Sequence, residues 1–238
     1  MREFVFTITY DEGEDPLIDL LADSTEAQSS ALLCALTEGC AWRLDRVTGL
    51  GDAVDRATSI LTDDSYTGLS VSERNCSLEK YSDVLEETHS SRVVFTYFDD
   101  IARCDSVPTI TNRYVEGGLL FVVTREGNAE RWRILMQDET KVGMLYDTLA
   151  ATLRDGLTFQ FEHLKQVTSS PMTPFESRSL RSEQRRVLKI AFDEGYYETP
   201  RETTLDDIAD RLDCPRSTVS YRLRRAEAEV VAEFLSSP

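Results

Sequence analysis

The chain has 238 residues, of which 41% are hydrophobic and 29% are charged, so it is long enough to bury a sizeable core and to form two domains. Its 43 acidic residues outnumber its 26 basic residues and give a net charge of −17, which argues against a chain that binds nucleic acid over its whole surface. No stretch approaches 18 consecutive apolar residues, which excludes a membrane-spanning helix.

The first part of the chain alternates between strand-like and helix-like patterns. Residues 2–10 alternate around Phe4, Phe6 and Ile8, which predicts a strand, and the acidic residues that follow are unlike a signal peptide. Residues 52–61 repeat apolar side chains at helical spacing and predict a helix. The other elements predicted in this part are a helix at residues 27–36, a strand at 40–50 and a strand at 66–73.

From residue 91 the predicted order of elements is βαββαβ, which is typical of a ferredoxin-like sandwich with helices on one face of a sheet. The first half of the chain resembles a weaker version of the same unit, without a repeat at the level of residues. Gly156 is expected to cap the second helix of the later unit. Its elements are a strand at 93–98, a helix at 105–115, a hairpin of 119–125 and 130–137, a helix at 139–154 and a strand at 157–167.

The predicted fold class is therefore α+β, with three parts along the chain. Residues 1–167 form a sensing or dimerisation domain, within which residues 91–167 are the ferredoxin-like α/β sandwich region. Residues 168–179 combine serine, threonine and two prolines without apolar periodicity, which indicates a linker. Residues 180–238 are an all-α helix-turn-helix domain, as the following patterns show.

Aromatic side chains of the N-terminal region are expected to pack in the core of the sheet, with a cage around a ligand as the alternative. The sequence identifies no cofactor and no cofactor-binding residue. It leaves open whether a small-molecule effector binds the N-terminal domain. The aromatic residues concerned are Phe95, Tyr97, Phe121, Trp132 and Phe159.

The C-terminal region contains three helical patterns. The first spans residues 183–193 and ends at Gly195, and Thr203 or Thr204 is expected to cap the second. Between the second and third helices, Asp213 tolerates a left-handed backbone and Pro215 sets φ for a helix start, which is typical of a helix-turn-helix. The apolar faces are Leu205, Ile208, Ala209 and Leu212 on the second helix and Val219, Leu223 and Ala226 on the third.

The third helix carries a polar outer face. At about 100° per residue, Ser217, Tyr221 and Arg224 fall opposite the apolar side, flanked by Thr218, Ser220 and Arg225. No carboxylate precedes Glu227, and hydroxyls, a phenol and guanidinium groups all donate to phosphates and base edges. The pattern predicts a DNA-reading helix, and the alternative is an ordinary three-helix packing module with a solvated basic face.

The distribution of charge supports the division of the chain into an N-terminal domain and a helix-turn-helix domain. Residues 1–170 hold 15 basic and 30 acidic residues, whereas residues 171–238 hold 11 basic and 13 acidic residues. Only four of the 26 basic residues are lysines, and an acidic, lysine-poor composition is typical of proteins that work in a salt-rich cytoplasm. An ordinary acidic protein is the alternative.

The runs GYYETPR, TLDDIADRL and STVSYRLRRAE, at this spacing, resemble the helix-turn-helix of the haloarchaeal bacterio-opsin activator family. The resemblance covers about the last quarter of the chain closely. It implies a transcriptional regulator of a halophilic archaeon that binds double-stranded promoter DNA. The family usually has glycine where this chain has Asp213 and serine where it has Pro215, and the lost serine cap weakens the helix start by about 1 kcal/mol.

The resemblance assigns a role to each residue of the predicted site. Those in the first half of the third helix are expected to reach base edges: Arg216, Ser217, Thr218, Ser220 and Tyr221. Arg224 and Arg225 are expected to contact phosphate, and Arg201 either contacts phosphate or pairs with a carboxylate within the domain. Arg185 and Arg186 either approach the DNA backbone or form a solvated face.

A homodimer is also expected. Apolar residues continue along the last helix beyond the needs of the domain, so they either form a dimer surface or pack back on the first helix. They are Leu223, Ala226, Val230, Phe234 and Leu235.

The cysteine and histidine residues argue against a metal site and against catalysis. The five cysteines are odd in number and lack CxxC spacing, so free thiols in a reducing cytoplasm are expected, with neither a disulfide framework nor a metal site. In the sequence, neither His89 nor His163 is accompanied by residues that would complete a metal site or a catalytic triad. An enzyme is therefore not expected. The sequence thus favours a cytoplasmic, sequence-specific DNA-binding regulator, with a protein-interaction adaptor as the alternative.

Overall fold

The computed structural model describes residues 1–24, 27–35, 39–49, 52–74, 76, 78–88, 90–115, 119–137, 139–167, 180 and 182–236. It divides into two compact units, Met1–Phe175 and Glu176–Pro238. The first unit combines an antiparallel sheet with helices and the second is helical, which confirms the α+β class. The linker predicted at residues 168–179 lies outside the described residues. Among the helices that are described, none has both the length and the apolar character needed to cross a bilayer.

The N-terminal unit is built on one eight-stranded sheet, in which every neighbouring pair of strands is antiparallel. Across the sheet the strands stand in the order β4-β5-β3-β2-β6-β7-β1-β8. The strands are β1 (Arg2–Tyr10), β2 (Gln28–Ala35), β3 (Ala41–Thr48), β4 (Lys80–Glu87), β5 (Ser91–Phe98), β6 (Leu119–Glu126), β7 (Ala129–Met136) and β8 (Leu157–Gln166). The helices within the described residues of this unit are α1 (Pro16–Asp23), α2 (Asp52–Thr62), α3 (Val107–Asn112) and α4 (Val142–Thr152), and a short 3₁₀ turn spans Ile101–Arg103.

The two halves of this unit exchange their first strands. Each half has the order βαββαβ along the chain, but β1 lies between β7 and β8, and β5 lies between β3 and β4. The ferredoxin-like sheet predicted for residues 91–167 therefore does not form from its own four strands, because β2 and β3 separate β5 from β6. In each half, the first strand pairs antiparallel with two other strands and lies between them. The order of elements along the chain does not determine which of the two first strands takes that position.

The four helices all cover one face of the sheet. Helices α3 and α4 bury Val107, Ile110 and Leu145 in a cluster with the aromatic residues of β1. Helix α2 packs with most of α1 in a second cluster around Val47 of β3. One face of the sheet is therefore the core of the unit.

Several local predictions for the N-terminal unit are wrong. Most of the segment predicted as a helix at residues 27–36 forms strand β2 (Gln28–Ala35) instead, because a central strand buried on both faces has a continuous apolar run without alternation. Helix α1 and strand β4 were not predicted, and residues 66–73 form no strand beyond an isolated bridge between Ser70 and Ser106. Gly156 is not the cap of α4, which ends at Thr152, but lies in the following turn with φ +83°.

A network of buried charges joins β3, β6 and β7 on the helix-bearing face. Asp45 is fully buried and accepts from Arg43 Nε at 2.5 Å and from Arg125 Nη1 at 2.9 Å. Glu130 accepts from Arg125 Nε at 2.6 Å and from the Tyr10 hydroxyl at 2.8 Å. Burial opposes the charged form of Arg125, but Glu130 and Asp45 outweigh it and raise the pKa of this guanidinium. Each buried charge is thereby paired, as burial requires.

The expectation that all five cysteines are thiols is wrong for one pair. Cys76 and Cys104 form a disulfide across 28 residues, while Cys34, Cys40 and Cys214 are free. Val71 N donates to Asp105 O at 3.0 Å, and this contact brings together two loops that are distant in sequence. Spacing rules for adjacent cysteines cannot detect such a pair.

The aromatic residues of the sheet are only partly core. Phe121 and Trp132 are buried and Phe159 packs against the same cluster, as predicted. Phe95 is half-buried and Tyr97 is 36% exposed, because both point to the face of the sheet without helices.

Candidate nucleic-acid interface

In the described part of the C-terminal unit there are three helices: α5 (Ser182–Asp193), α6 (Leu205–Leu212) and α7 (Arg216–Ser236). The predicted apolar faces of α6 and α7 meet in one small core. Ala209 permits the close approach of α6, and Ala226 extends the buried side of α7. The core residues are Val187, Ala191, Ile208, Ala209, Val219 and Leu223.

Helix α6 starts at a capping box. Thr204 Oγ1 accepts from the backbone N–H of Asp207 at 3.3 Å, and the Asp207 carboxylate accepts from the backbone N–H of Thr204 at 2.9 Å. The hydrogen bonds from Thr204 also lower the pKa of the Asp207 carboxyl group. Of the two predicted caps, Thr204 is therefore the one used.

The corner between α6 and α7 has the backbone that its sequence predicts. Asp213 has φ +50° and ψ +44°, which is the left-handed region, and the backbone N–H of Cys214 donates to Ala209 O at 3.1 Å. Pro215 precedes α7, and its carbonyl accepts from Thr218 N at 2.9 Å and from Val219 N at 3.1 Å. Asp213 and Pro215 thus preserve the turn geometry despite their departure from the family pattern.

The outer face of α7 is available to a ligand. Ser217 and Arg224 are exposed and Tyr221 is 58% exposed, whereas Thr218 and Ser220 are half-buried at the sides. Arg225 is half-buried, and its Nη1 donates to the Tyr221 hydroxyl at 3.1 Å. The predicted polar face therefore exists, with Tyr221 and Arg225 acting as one hydrogen-bonded pair.

Two of the predicted site residues meet at a cleft beside the start of α6. Arg216 lies 3.2 Å from Asp206 in an exposed ion pair, and the Arg201 guanidinium lies 4.4 Å from the centre of the Tyr196 ring. Among the described residues Arg201 has no ion pair, so the alternative in which it pairs with a carboxylate is not found here. The cleft encloses about 360 Å³ and is lined by Tyr196, Arg201, Glu202, Thr203, Thr204, Leu205, Asp206 and Arg216.

The connector from α5 to α6 is shaped by Gly195. This residue has φ +74°, and a Cβ added there would lie 2.9 Å from the Cβ of Glu202. Its carbonyl accepts from Glu198 N and Glu202 N, each at 3.1 Å. The Thr199–Pro200 peptide bond is cis. Through the two hydrogen bonds to the Gly195 carbonyl, the run GYYETPR folds back on itself, and Arg201 lies beside Tyr196.

Two contacts to α7 were not predicted from the sequence. Arg222 forms an ion pair with Glu183 of α5 at 2.5 Å, so this arginine joins helices. The Tyr197 hydroxyl donates to Glu227 at 2.7 Å, and burial together with this carboxylate raises the pKa of Tyr197. The helical period places Arg222 between the apolar and outer faces of α7, and this position was an indication in the sequence that it contacts a neighbouring helix. Nothing in the sequence indicated that Glu183 is the partner of Arg222 or that Tyr197 is the partner of Glu227.

The other candidate residues lie away from this face. Arg185 and Arg186 are exposed on α5. In the predicted apolar stripe of α7, Leu223 and Ala226 are buried and Val230 is 43% exposed. The side chains of Phe234 and Leu235, and residue His89, lie outside the described part of the chain. In the described part, no cluster of three or more potential metal ligands occurs.

Comparison with known families agrees with both units. The profile of the N-terminal family HVO_2928_N matches residues 3–170, and a profile described as an HTH DNA-binding domain matches residues 180–232. The chain is also similar to the dimethyl sulfoxide reductase transcriptional activator of Haloferax volcanii, with 37% identity over 70 residues. That match covers 29% of this chain and 33% of the relative, so the chain spans only about a third of the length of this relative. The chain therefore belongs to the HVO_2928_N family and carries a helix-turn-helix DNA-binding domain of the bacterio-opsin activator type.

Proposed function

We propose that the protein is a sequence-specific DNA-binding transcriptional regulator of a halophilic archaeon, with α7 in the major groove of promoter DNA. The observation that carries the proposal is the outer face of α7, where Ser217, Tyr221 and Arg224 are exposed and residues 216–226 include no carboxylate. The first carboxylate along the helix, Glu227, accepts a hydrogen bond from Tyr197. A donor-rich helix face of this kind fits base edges and phosphates.

The residues divide into two roles. Arg216, Ser217 and Tyr221 lie in the first half of α7 and would contact base edges, with Thr218 and Ser220 at the sides of the same surface. Arg201, Arg224 and Arg225 would contact phosphate and fix the position of the helix. Arg222 has no part in this assignment because it is half-buried and pairs with Glu183, whereas both members of the Arg216–Asp206 pair are exposed.

The acidic composition constrains the mechanism. A chain of net charge −17 gains little from long-range attraction to DNA, and in molar salt the Debye length falls to about 3 Å. For each phosphate contact, the logarithm of the binding constant falls by about 0.9 for every tenfold rise in salt concentration. Short-range base contacts and the avidity of a homodimer on a two-fold site would therefore supply most of the affinity.

Two further observations support regulation of transcription. The Haloferax relative is named as a transcriptional activator, and the N-terminal family domain precedes the DNA-binding domain in this chain. The N-terminal unit would sense a small-molecule effector or form the dimer.

The test is binding to DNA fragments from upstream of its own and neighbouring genes, measured by footprinting in molar KCl. Tyr221→Ala is expected to lose about 1–3 kcal/mol of specific binding, or about 5- to 150-fold in Kd. Arg224→Ala is expected to weaken binding to all sequences and to lower the salt slope by about 0.9.

Lys189→Ala is the matched control, because it removes one cation from an exposed position on α5 that pairs with Asp193. This variant is expected to keep both the footprint and the salt slope. Absence of any footprint above nonspecific competitor, across salt and protein concentrations, would contradict the proposal and favour an adaptor that docks another regulator through the same helices.

A further inference from the structure

The starts of α6 and α7 meet in an ion pair. Arg216 is the first residue of α7, and its Nε lies 3.2 Å from Oδ1 of Asp206 in the first turn of α6. Both residues line the cleft that also contains Arg201. Residues 216–226 of α7 include no carboxylate. Asp206 therefore brings a carboxylate from a neighbouring helix to the beginning of the outer face of α7.

The core and the corner of the domain set the positions of these two helices. Ile208 and Ala209 of α6 pack with Val219 of α7 in the core. The hydrogen bond from Cys214 N to Ala209 O closes the corner between the helices. The ion pair is therefore not needed to bring α6 and α7 together, and its effect falls on the side chains.

Asp206 takes no part in the cap of α6. The capping box uses Thr204 and Asp207, each of whose side chains accepts a hydrogen bond from the backbone N–H of the other residue. A carboxylate in the first turn also gains from the helix dipole, and Asp207 already supplies one. The contact that distinguishes Asp206 is the one with Arg216.

The ion pair is expected to act in the complex with DNA rather than in the free protein. The side chain of Arg216 is 65% exposed and that of Asp206 is 70% exposed. Such exposed pairs add little to folding stability, because water and salt screen them and because two flexible side chains must be ordered. When DNA covers the cleft and excludes water, charge-assisted hydrogen bonds of the same groups become stronger.

The geometry of the contact suits recognition of guanine. Asp206 meets Nε of Arg216, whereas the two Nη nitrogens carry four further N–H groups at the end of the guanidinium. Two parallel N–H groups at that end match the O6 and N7 acceptors that guanine presents in the major groove. One edge of Arg216 can thus stay on the carboxylate while its end meets a base.

The charge of Asp206 also acts against DNA of other sequences. A carboxylate at the cleft repels the phosphates of every duplex, whatever its sequence. Glu202 lines the same cleft and adds to this repulsion. A guanine that accepts from Arg216 offsets the repulsion, and a different base at that position does not. The pair therefore favours one sequence in part by weakening the binding of the others.

We propose that Asp206 is a positioning residue for DNA recognition, which holds the guanidinium of Arg216 at Nε and directs its two Nη groups to a guanine in the major groove. This role rests on the proposed function, because Arg216 can read a base only if α7 enters the major groove. It makes a residue outside α7 responsible for the preference at one base pair, and it assigns guanine to that pair.

The experiment selects duplexes from a randomised DNA pool with the full chain in molar KCl. It then measures Kd for the selected sequence and for versions in which each base pair is replaced in turn. Arg216→Ala is expected to lose about 5- to 150-fold of the preference for one G·C pair. Asp206→Asn is expected to lose about threefold or more of the preference at the same pair, and to bind unrelated DNA more tightly than the wild type does.

A double-mutant cycle separates positioning from a structural role. In the Arg216→Ala background, Asp206→Asn is expected to leave the base preference unchanged, because the side chain that Asp206 positions is absent. If Asp206 acted only on the shape of α6, its substitution would have the same effect in both backgrounds. The midpoint of thermal unfolding of Asp206→Asn is expected to lie within about 4 °C of that of the wild type, because the pair is exposed.

Asp210→Asn is the matched control. Asp210 is exposed on α6 and lies four residues, or about 6 Å along the helix, beyond Asp206. The variant removes the same charge and is expected to keep the base preference of the wild type. An equal loss of preference in this variant would show a general effect of charge and would overturn the role of Asp206.

The remaining outcomes separate this role from the proposed function. A wild type that selects no sequence would contradict both. If the wild type selects a sequence while Asp206→Asn keeps its full preference, only the role of Asp206 is overturned. The same conclusion follows if Arg216→Ala loses its preference at an A·T pair, or if the effect of Asp206→Asn persists without Arg216.

Discussion

The guanidinium carbon of Arg201 lies 4.4 Å from the centre of the Tyr196 ring, at the cleft beside the start of α6. Tyr196 is itself held in an edge-to-face contact with Tyr197, with ring centres 5.3 Å apart. The aromatic pair therefore limits the positions that Arg201 can adopt. Restraint of a flexible cation before binding lowers the entropy lost when it meets a phosphate.

This contact leads to a prediction about Tyr196. Tyr196→Phe keeps the ring face and is expected to leave DNA affinity within about twofold, whereas Tyr196→Leu removes the cation–π contact and is expected to weaken binding by about 0.5–1 kcal/mol. Arg201→Gln is expected to lower the salt slope by about 0.9. Affinity measured against salt concentration checks both, and a full salt slope in Arg201→Gln would remove this residue from the phosphate-binding set.

The hydrogen bond from Tyr197 to Glu227 predicts a loss of stability at alkaline pH. Burial and Glu227 raise the pKa of Tyr197 above its ordinary value of about 10, so the folded state keeps the proton where the unfolded state loses it. The stability from this group is complete below pH about 10 and declines as pH rises further. Urea unfolding between pH 8 and 11 checks this, and Tyr197→Phe is expected to flatten the alkaline decline. An equal decline in both proteins would show that other groups cause it.

Asp213 is expected to limit the stability of the helix-turn-helix. Its left-handed backbone costs a residue with a Cβ about 1–2 kcal/mol, and glycine avoids this cost. Asp213→Gly is therefore expected to stabilise the domain by about 0.5–1 kcal/mol, while Asp213→Val destabilises it by more than 1 kcal/mol. Thermal unfolding of the two variants measures the difference, and a less stable glycine variant would show that the Asp213 side chain contributes in another way.

The buried charge network predicts that substitutions of a buried and of an exposed aspartate differ in their cost to stability. Asp45→Ala leaves Arg43 and Arg125 buried without their shared carboxylate and is expected to cost about 3–5 kcal/mol. Asp55→Ala removes a 67% exposed carboxylate that pairs with Arg92 and is expected to cost less than about 1 kcal/mol. Denaturant unfolding of the full chain compares them. Similar losses for both would mean that the network is relaxed by water in solution.

Local patterns predicted the C-terminal unit closely. Apolar residues at helical spacing, Thr204 and Gly195 were sufficient to indicate where α5 and α6 end and begin, and Asp213 predicted the left-handed corner. The outer face of α7 followed from the same periodicity. The capping box and the corner are each built from residues a few positions apart, so local propensity agrees with the tertiary packing here.

The N-terminal unit was predicted less well because its contacts are long-range. Strand β2 was predicted as a helix, since a strand buried on both faces has no alternation to recognise. The pairing of Cys76 with Cys104 and that of Arg222 with Glu183 join segments whose proximity is decided only by the fold.

By itself, the sequence determined the α+β class, the three C-terminal helices and the polar face of α7, because hydrophobic periodicity and capping act over a few residues. Only the tertiary structure decided that β1 and β5 exchange places and that Arg201 lies against the ring of Tyr196. The physical reason is that strand order and side-chain partners depend on competition among distant segments for the same hydrogen bonds and the same buried surface, and spacing along the chain does not record the outcome.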